Sequence, residues 1–448
     1  METLETAGHW WMLGEPGRRV PGILKFDLTS GGRLTLIGGL RRPEDLAVPE
    51  RMADGSTRIS ISEDLIARSG NYGRLHGECN GRAYTLEGCF QLRSRGGVFG
   101  PSYEEAIYVN HVYEGVWFSE GEPVGGNQLN FALDGLTEWV PQSGIVQVFN
   151  DGAVVDAPQV ELHASRLPQR TVALPDGGEL WLSHGLSTSS PGSSAALTEN
   201  FSLAIHYERV IPIEDLLDKA SDLQDLVSIA TDRSAQYGTI RVMHPDLVED
   251  RGGRRRNESF TVWSAWTALR KDDAKPLDRH SLFFTLDDIG GVAGLASWMQ
   301  VTEKFRSALG RAMATKYAEK MYVSDRFLNR AAALEGFDRI KTGQSRGRTF
   351  VERISECISI AGAQFAELVC DPGKWATELK NHRNEIAHHY GRRMRQAVED
   401  QLYISDSAFW LLVFCLLREA GIEDAMFDKI LSHQKLQYLK RKNQSIFG

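Results

Sequence analysis

Between Lys380 and Arg393 the chain reads KNHRNEIAHHYGRR, which places an arginine, an asparagine and two adjacent histidines within one short stretch. These residue types suit one chemistry in particular. Histidine exchanges a proton near neutral pH, because its unperturbed pKa lies near 6.5. Arginine is a permanently charged planar fork that matches the oxygens of a phosphate. Asn384 can orient Arg383 or bond a phosphate oxygen itself. RNA carries its own nucleophile, the 2′-hydroxyl, so a proton-transfer group and a fixed cation suffice to cut it without a metal. An Arg followed after four to six residues by His is expected about three times by chance in a chain of this composition. Arg-Asn with His five residues after the Arg is expected only a few hundredths of a time. His382, His388 and His389 have no Cys or carboxylate at ligand spacing beside them, so no metal and no cofactor are expected.

A helix must hold these groups. Asp371 suits its N-cap and Pro372 its first position. Trp375, Leu379, His382 and Ile386 recur on one face at core spacing, so His382 reads as a buried, hydrogen-bonded residue. At about 100° per residue, Arg383 falls at the edge of that stripe, where a side chain packs and keeps its head group accessible. The surrounding segments LASWMQVTEKFRSALGRAMATKYAEKM, VSDRFLNRAAALEGFDRIK, TFVERISECISIAGAQFAELV and SDSAFWLLVFCLLREAG show helical periodicity too. Residues 291–448 therefore read as a helical bundle. FWLLVFCLL, Phe409 to Leu417, is about half the length needed to span a bilayer and reads as a core helix, so no membrane partner is expected.

The front of the chain has the other period. Over residues 1–212, runs such as GILKFDLTSGGRLTLIGG, GRAYTLEGCFQLRS, EEAIYVNHVYEGVWF and ENFSLAIHYERV alternate with Gly, Asn, Asp and Pro, the spacing of a sandwich or barrel. TSGG reads as a hairpin turn and STSSPGSSAA (Ser187 to Ala196) as a loop inside the β region. HWWMLG and Trp139 read as core aromatics. Residues 213–290 mix the periods: IEDLLDKASDLQDLVSIATD is helical, with Leu216, Leu217, Leu223, Leu226 and Val227 on one face. GTIRVMH, ESFTVWSAW and SLFFTL read as strands, with EDRGGRRRN as a solvated hairpin tip or, alternatively, a phosphate-contacting loop. The expectation is an α+β multidomain chain: a β-sandwich-like front, a mixed connector and an all-α bundle. The carboxyl stretch KLQYLKRKNQSIFG reads as a solvated helix end.

With 448 residues the chain can bury several cores. Five scattered cysteines form no zinc knuckle and no redox pair, which fits a reducing cytoplasm. METLETAGHWWMLGEPG lacks a basic stretch followed by an apolar run, so no secretory signal is expected in it. Net charge is −8 overall, yet residues 1–212 carry roughly −10 and residues 301–448 roughly +6. The C-terminal part is the better candidate for meeting a polyanion, and the acidic front for shielding it.

RNEIAH, Arg383 to His388, resembles the RNxxxH motif of HEPN ribonucleases, late in a C-terminal helical bundle. ALEGFDRI (Ala333 to Ile340) is similar to the earlier helix that carries an acidic residue facing that motif. GRLTLIGG, LHGECNGRAYTLEGC and LDGLTEWV look like the N-terminal domain of ApeA-type anti-phage defence proteins. The resemblance implies a metal-independent endoribonuclease of abortive infection, acting on RNA, with tRNA one candidate. It implies a homodimer with a composite active site, a phage-derived trigger and an N-terminal sensor or regulatory domain. It implies that Arg383 stabilises the transition state, His388 is the acid/base group, Asn384 orients and Glu335 is the supporting acid, with Tyr390 near enough to help. Without it, Glu335 reads as an exposed helix glutamate. His389 fits the looser form of the motif and remains the alternative to His388. On an ideal helix His389 lies nearer the core face and His388 points away from it. The competing function is a non-catalytic RNA- or nucleotide-binding protein whose β domain recognises a ligand or protein. Nucleotide transfer to a target is disfavoured, because no Gly-rich GxxxxGK[ST]-type phosphate loop is present.

Overall fold

The computed structural model describes the chain except for residues 1–2, 28–29, 42–46, 53, 62–69, 96–103, 150–159, 191, 193–194, 252–253, 265–276, 345 and 389–397. Contacts divide it into two compact units. The first gathers Met1–Phe131, Glu208–Glu214 and Tyr237–Leu269; the second gathers Ala132–Tyr207, Asp215–Gln236 and Arg270–Gly448.

In the first unit the early strands are β1 (Leu4–Met12), β2 (Val20–Asp27), β3 (Gly31–Ile37), β4 (Ala47–Arg51) and β5 (Thr57–Ile61). They are followed by β6 (Asn71–Cys79), β7 (Arg82–Arg95), β8 (Glu104–Val109), β9 (His111–Glu114) and β10 (Gly125–Phe131). Antiparallel pairing runs β1–β2–β3–β8–β7–β6 and returns to β1, so six strands close on themselves. The closure makes a barrel, one of the two architectures that the strand spacing allowed, and it removes exposed edges. Strict alternation explains how β2 serves it: Val20, Leu24 and Phe26 are buried while Pro21, Ile23 and Lys25 face out. The interior is filled by Trp10, Leu24, Leu34, Leu75, Leu86 and Ile107 among others. Gly77 is required by close approach, since a Cβ there would sit 2.2 Å from the Trp10 ring. β7 then leaves the ring at its first half to pair with β9, and the sheet continues through β17 and β16 to β10.

The second unit begins with the short helix α1 (Leu136–Trp139) and the hairpin β11 (Ile145–Phe149) and β12 (Val160–Ala164). The three strands β13 (Arg170–Ala173), β14 (Glu179–Ser189) and β15 (Ala196–Pro212) come next, the last residues of β15 from Glu208 being counted in the first unit. The helix α2 (Ile213–Thr231) follows, and then the first unit's β16 (Ile240–Arg251) and β17 (Arg254–Ser264). Leu216, Leu223, Leu226 and Val227 of α2 are buried as the spacing required, and Leu217 is half-buried. The Ser-rich stretch begins in β14 and ends in β15, with 191 and 193–194 outside the described residues, and EDRGGRRRN spans the end of β16 and the start of β17, with 252–253 outside them. SLFFTL is not a strand. It runs irregularly between two single 3₁₀ turns, Arg279–Ser281 and Asp287–Ile289, and its aromatic density reflects burial of Phe283 and Phe284 as core anchors.

The remaining helices are α3 (Val292–Tyr317), α4 (Val323–Thr342), α5 (Phe350–Ala361), α6 (Ala363–Val369) and α7 (Pro372–His388). The last three are α8 (Val398–Glu419), α9 (Asp424–Ser432) and α10 (Gln434–Phe447). The stretch read as one periodic segment from Thr349 breaks at Gly362 into α5 and α6. Gly362 has φ +82°, a conformation that only glycine adopts cheaply, and it ends one helix while opening the next. α8 is the spine of the bundle. It is long and apolar enough to cross a membrane, but 72% of its apolar window is buried by the other helices, and every residue from Phe409 to Leu417 is core. A helix that is apolar all round finds such a place in the middle of a packed bundle. The carboxyl stretch is a docked helix rather than a solvated end: Leu436, Leu439 and Phe447 of α10 are buried.

Candidate active site

The helix that carries the motif begins as its sequence requires. The Asp371 carboxylate accepts from the Lys374 backbone N–H at 2.9 Å, which caps α7 and fixes its first turn. Trp375, Leu379 and His382 are then buried on one face, and Ile386 is half-buried near the end. Trp375 meets Phe365 edge-on at 5.2 Å between centroids, and His382 lies 5.9 Å from Phe327. Burial lowers the His382 pKa below its ordinary value, against the raising effect of the Glu378, Glu385 and Asp400 charges. Its Nδ1 is buried without a hydrogen-bond partner among the described residues.

Arg383 leaves the edge of that face with about a third of its side chain exposed. Three neighbours define its position. Its Nη2 donates to Glu335 Oε2 of α4 at 3.4 Å, its Nη1 donates to Asn384 Oδ1 at 3.3 Å, and its guanidinium lies over the Phe350 ring at 5.0 Å. The aromatic ring and the carboxylate restrict the fork while leaving part of it open to solvent. The structure therefore brings Arg383, Asn384 and Glu335 together from two helices. The backbone of α7 ends at His388, whose side chain lies outside the described residues, as do His389 and Tyr390.

Two neighbours of the site went unread in the sequence. Arg339 stands one turn after Glu335 on α4 and donates to Glu335 Oε1 at 2.6 Å, so one carboxylate serves two arginines. The i, i+4 spacing of Glu335 and Arg339 was the available signal. Phe350 is positioned by a capping box at the start of α5, where Thr349 N–H donates to Glu352 at 2.6 Å and Thr349 Oγ1 accepts from Glu352 N–H at 3.3 Å. T-x-x-E in sequence announces that cap, but nothing local says which ring it presents to Arg383. Three residues after Glu335 on α4, buried Asp338 pairs with Arg353 at 2.6 Å and Arg348 at 3.0 Å, which fastens α4 to α5. Among the described residues no three or more His, Cys, Asp or Glu side chains gather as metal ligands. The arrangement offers a fixed, partly open cation at the end of a rigid helix.

Nothing among curated proteins or solved structures matches the chain. Family comparison is specific, however: the family described as ApeA N-terminal domain 1 matches residues 5–298, and Apea-like HEPN matches residues 298–425. The two matches meet at Trp298, within α3, and the second contains Glu335, Arg383, Asn384 and His388. The chain thus belongs to the ApeA-type defence family, an ApeA N-terminal domain joined to an ApeA-like HEPN domain.

Proposed function

We propose that the chain is a metal-independent endoribonuclease of anti-phage defence, acting in the cytoplasm on tRNA or other host RNA. The observation that carries this reading is the setting of Arg383, ordered by Glu335 and Phe350 yet open to solvent, five residues before His388. In the proposed reaction His388 takes the proton from a 2′-hydroxyl, whose oxygen attacks the adjacent phosphorus. The 5′-oxygen departs with a proton, leaving a 2′,3′-cyclic phosphate. Arg383 meets the charge that grows on the phosphoryl oxygens, where a preorganised cation contributes most. Asn384 and Glu335 act through Arg383 by holding its fork in register. A second copy of the chain would bring a second motif and so supply the acid for the leaving oxygen, which is the reason for proposing a homodimer. The N-terminal domain is proposed to sense the infection trigger and restrain the activity until then.

The test uses purified wild type and the single variants His388→Ala and His389→Ala, incubated with total tRNA in EDTA, with fragment 3′ ends read on gels. Cleavage that survives EDTA, leaves cyclic phosphate and is lost with His388→Ala alone supports the proposal. Loss with His389→Ala alone moves the acid/base role to that residue. RNA binding without cleavage, unchanged by extract of infected cells, would instead support the non-catalytic RNA-binding reading.

A further inference from the structure

The second unit holds a cavity of about 590 Å³ that plays no part in the site described above. Its walls come from the end of α2, from α3 and α4, from the first turns of α8 and from α10. Five of its fifteen lining residues are aromatic, and leucines and one isoleucine complete an apolar floor. Three cations converge on this floor. Arg330 is almost wholly buried, donates to Thr315 Oγ1 at 2.9 Å and to Asp406 at 2.5 Å, and lies 5.0 Å over the Phe409 ring. Lys316 and Lys435 both pair with Asp232, the first at 2.6 Å. At the rim Tyr403 and Tyr438 share a hydrogen bond of 3.1 Å, and the Lys442 ammonium lies over both rings at 5.2 and 5.5 Å.

The charge arithmetic is selective. Arg330, Lys316 and Lys435 against Asp232 and Asp406 leave one formal positive charge in the lining of a mainly apolar cavity. A buried cation is costly only when it lacks a partner. Arg330 and Lys316 have theirs in Asp406 and Asp232. The excess positive charge therefore falls to Lys435, which shares Asp232 with Lys316 and whose side chain is 65% exposed and open to a ligand. The volume falls within the range of small-molecule sites, and the wall pattern, mostly apolar with a few convergent polar groups, matches them. Two aspartates in the same wall repel a chain of phosphates, so the cavity does not suit an RNA backbone. We propose that this cavity is a binding site for a small aromatic anion: a planar ring system on the Phe409, Trp410 and tyrosine surfaces, carrying one phosphate or carboxylate head against Lys435, Lys316 and Arg330. Such a ligand bridges five helices and binds only the folded bundle, so it stabilises the fold by an amount that grows with the logarithm of its concentration above the dissociation constant. The inference stands independently of the ribonuclease proposal.

The probe is naphthyl phosphate, compared with naphthol, which has the ring alone, and inorganic phosphate, which has the head alone. Binding to the full chain is followed by calorimetry and by thermal melting. Naphthyl phosphate is expected to bind at least tenfold more tightly than either part and to raise the melting temperature. Lys435→Glu, at a side chain 65% exposed, reverses the net charge of the cavity and is expected to weaken binding at least tenfold. Tyr438→Ala, at the exposed rim, provides a second loss of about tenfold should the charge reversal disturb folding. Equal binding of naphthol and naphthyl phosphate would show a greasy hole only, and equal binding of phosphate a surface cation only. Either result, the lack of any binding at millimolar concentration, or tight binding indifferent to both substitutions would overturn the proposal.

Discussion

Removing the Arg383 side chain separates a structural role from a chemical one, because the two have different sizes. Its ion pair with Glu335 spans 3.4 Å between side chains that are 34% and 18% exposed. A pair in that setting contributes about 0–1 kcal/mol. Its contact with the Phe350 ring adds about 0.5–1 kcal/mol. Arg383→Ala is therefore expected to cost less than about 2 kcal/mol, a shift in melting of a few degrees for a unit of this size. A preorganised donor facing transition-state charge is worth about 10²–10³ in rate. The expected pattern is thus a large fall in cleavage with a small fall in stability. Arg383→Lys keeps the charge but loses the planar fork, and should fall between the two. The assay is single-turnover cleavage of tRNA beside thermal melting of the same preparations, with RNA affinity measured separately. Cleavage within tenfold of wild type would refute the proposed role. So would a collapse of melting by more than about 10 °C, because activity would then be lost through folding.

Other consequences are equally measurable. Glu335→Gln keeps an acceptor near Arg383 and Arg339 but removes the charge they share; it should lower cleavage by about tenfold and leave stability within about 1 kcal/mol, read by the same two assays. Asp225, buried in α2, accepts from the Tyr317 hydroxyl at 2.5 Å, and its carboxyl is pushed up to about 8 by burial, with Asp222 adding to the rise. The stability this group contributes is full below about 3.8 and is lost as pH rises through 8, so ionisation in the unfolded chain opposes folding by about 4 kcal/mol at neutral pH. Asp225→Asn should remove much of that slope in urea unfolding between pH 4 and 8, and parallel curves would contradict it. His382 has the opposite sign. Burial depresses its pKa from 6.5, so its contribution is present above that pH and lost as the pH falls below it. His382→Phe should flatten the acid side of the stability profile.

Some of this molecule was legible one segment at a time. The cap at Asp371, the buried face Trp375, Leu379 and His382, the edge position of Arg383 and the alternation in β2 depend on neighbours within a few residues. Local periodicity and capping chemistry suffice for those. The same local signals misread SLFFTL, because a run of apolar residues without alternation looks alike whether it is a strand or an anchored coil. They also ran α5 and α6 together, since helical periodicity continues across a glycine whose φ is decided by how the chain packs.

The amino-acid sequence by itself determined the residue types of the motif, the helix that bears them and the β-then-α order of the chain. Only tertiary structure decided what surrounds them. Glu335 lies 48 positions before Arg383, and its separation of 3.4 Å follows from packing α4 against α7. Phe350 reaches Arg383 because Asp338, Arg348 and Arg353 fasten α4 to α5. Closure of six strands into a barrel depends on β8 pairing with both β3 and β7. The cavity with its three cations is assembled from five separate helices. Such arrangements are set by long-range contacts that only a folded core selects, and no local pattern encodes them.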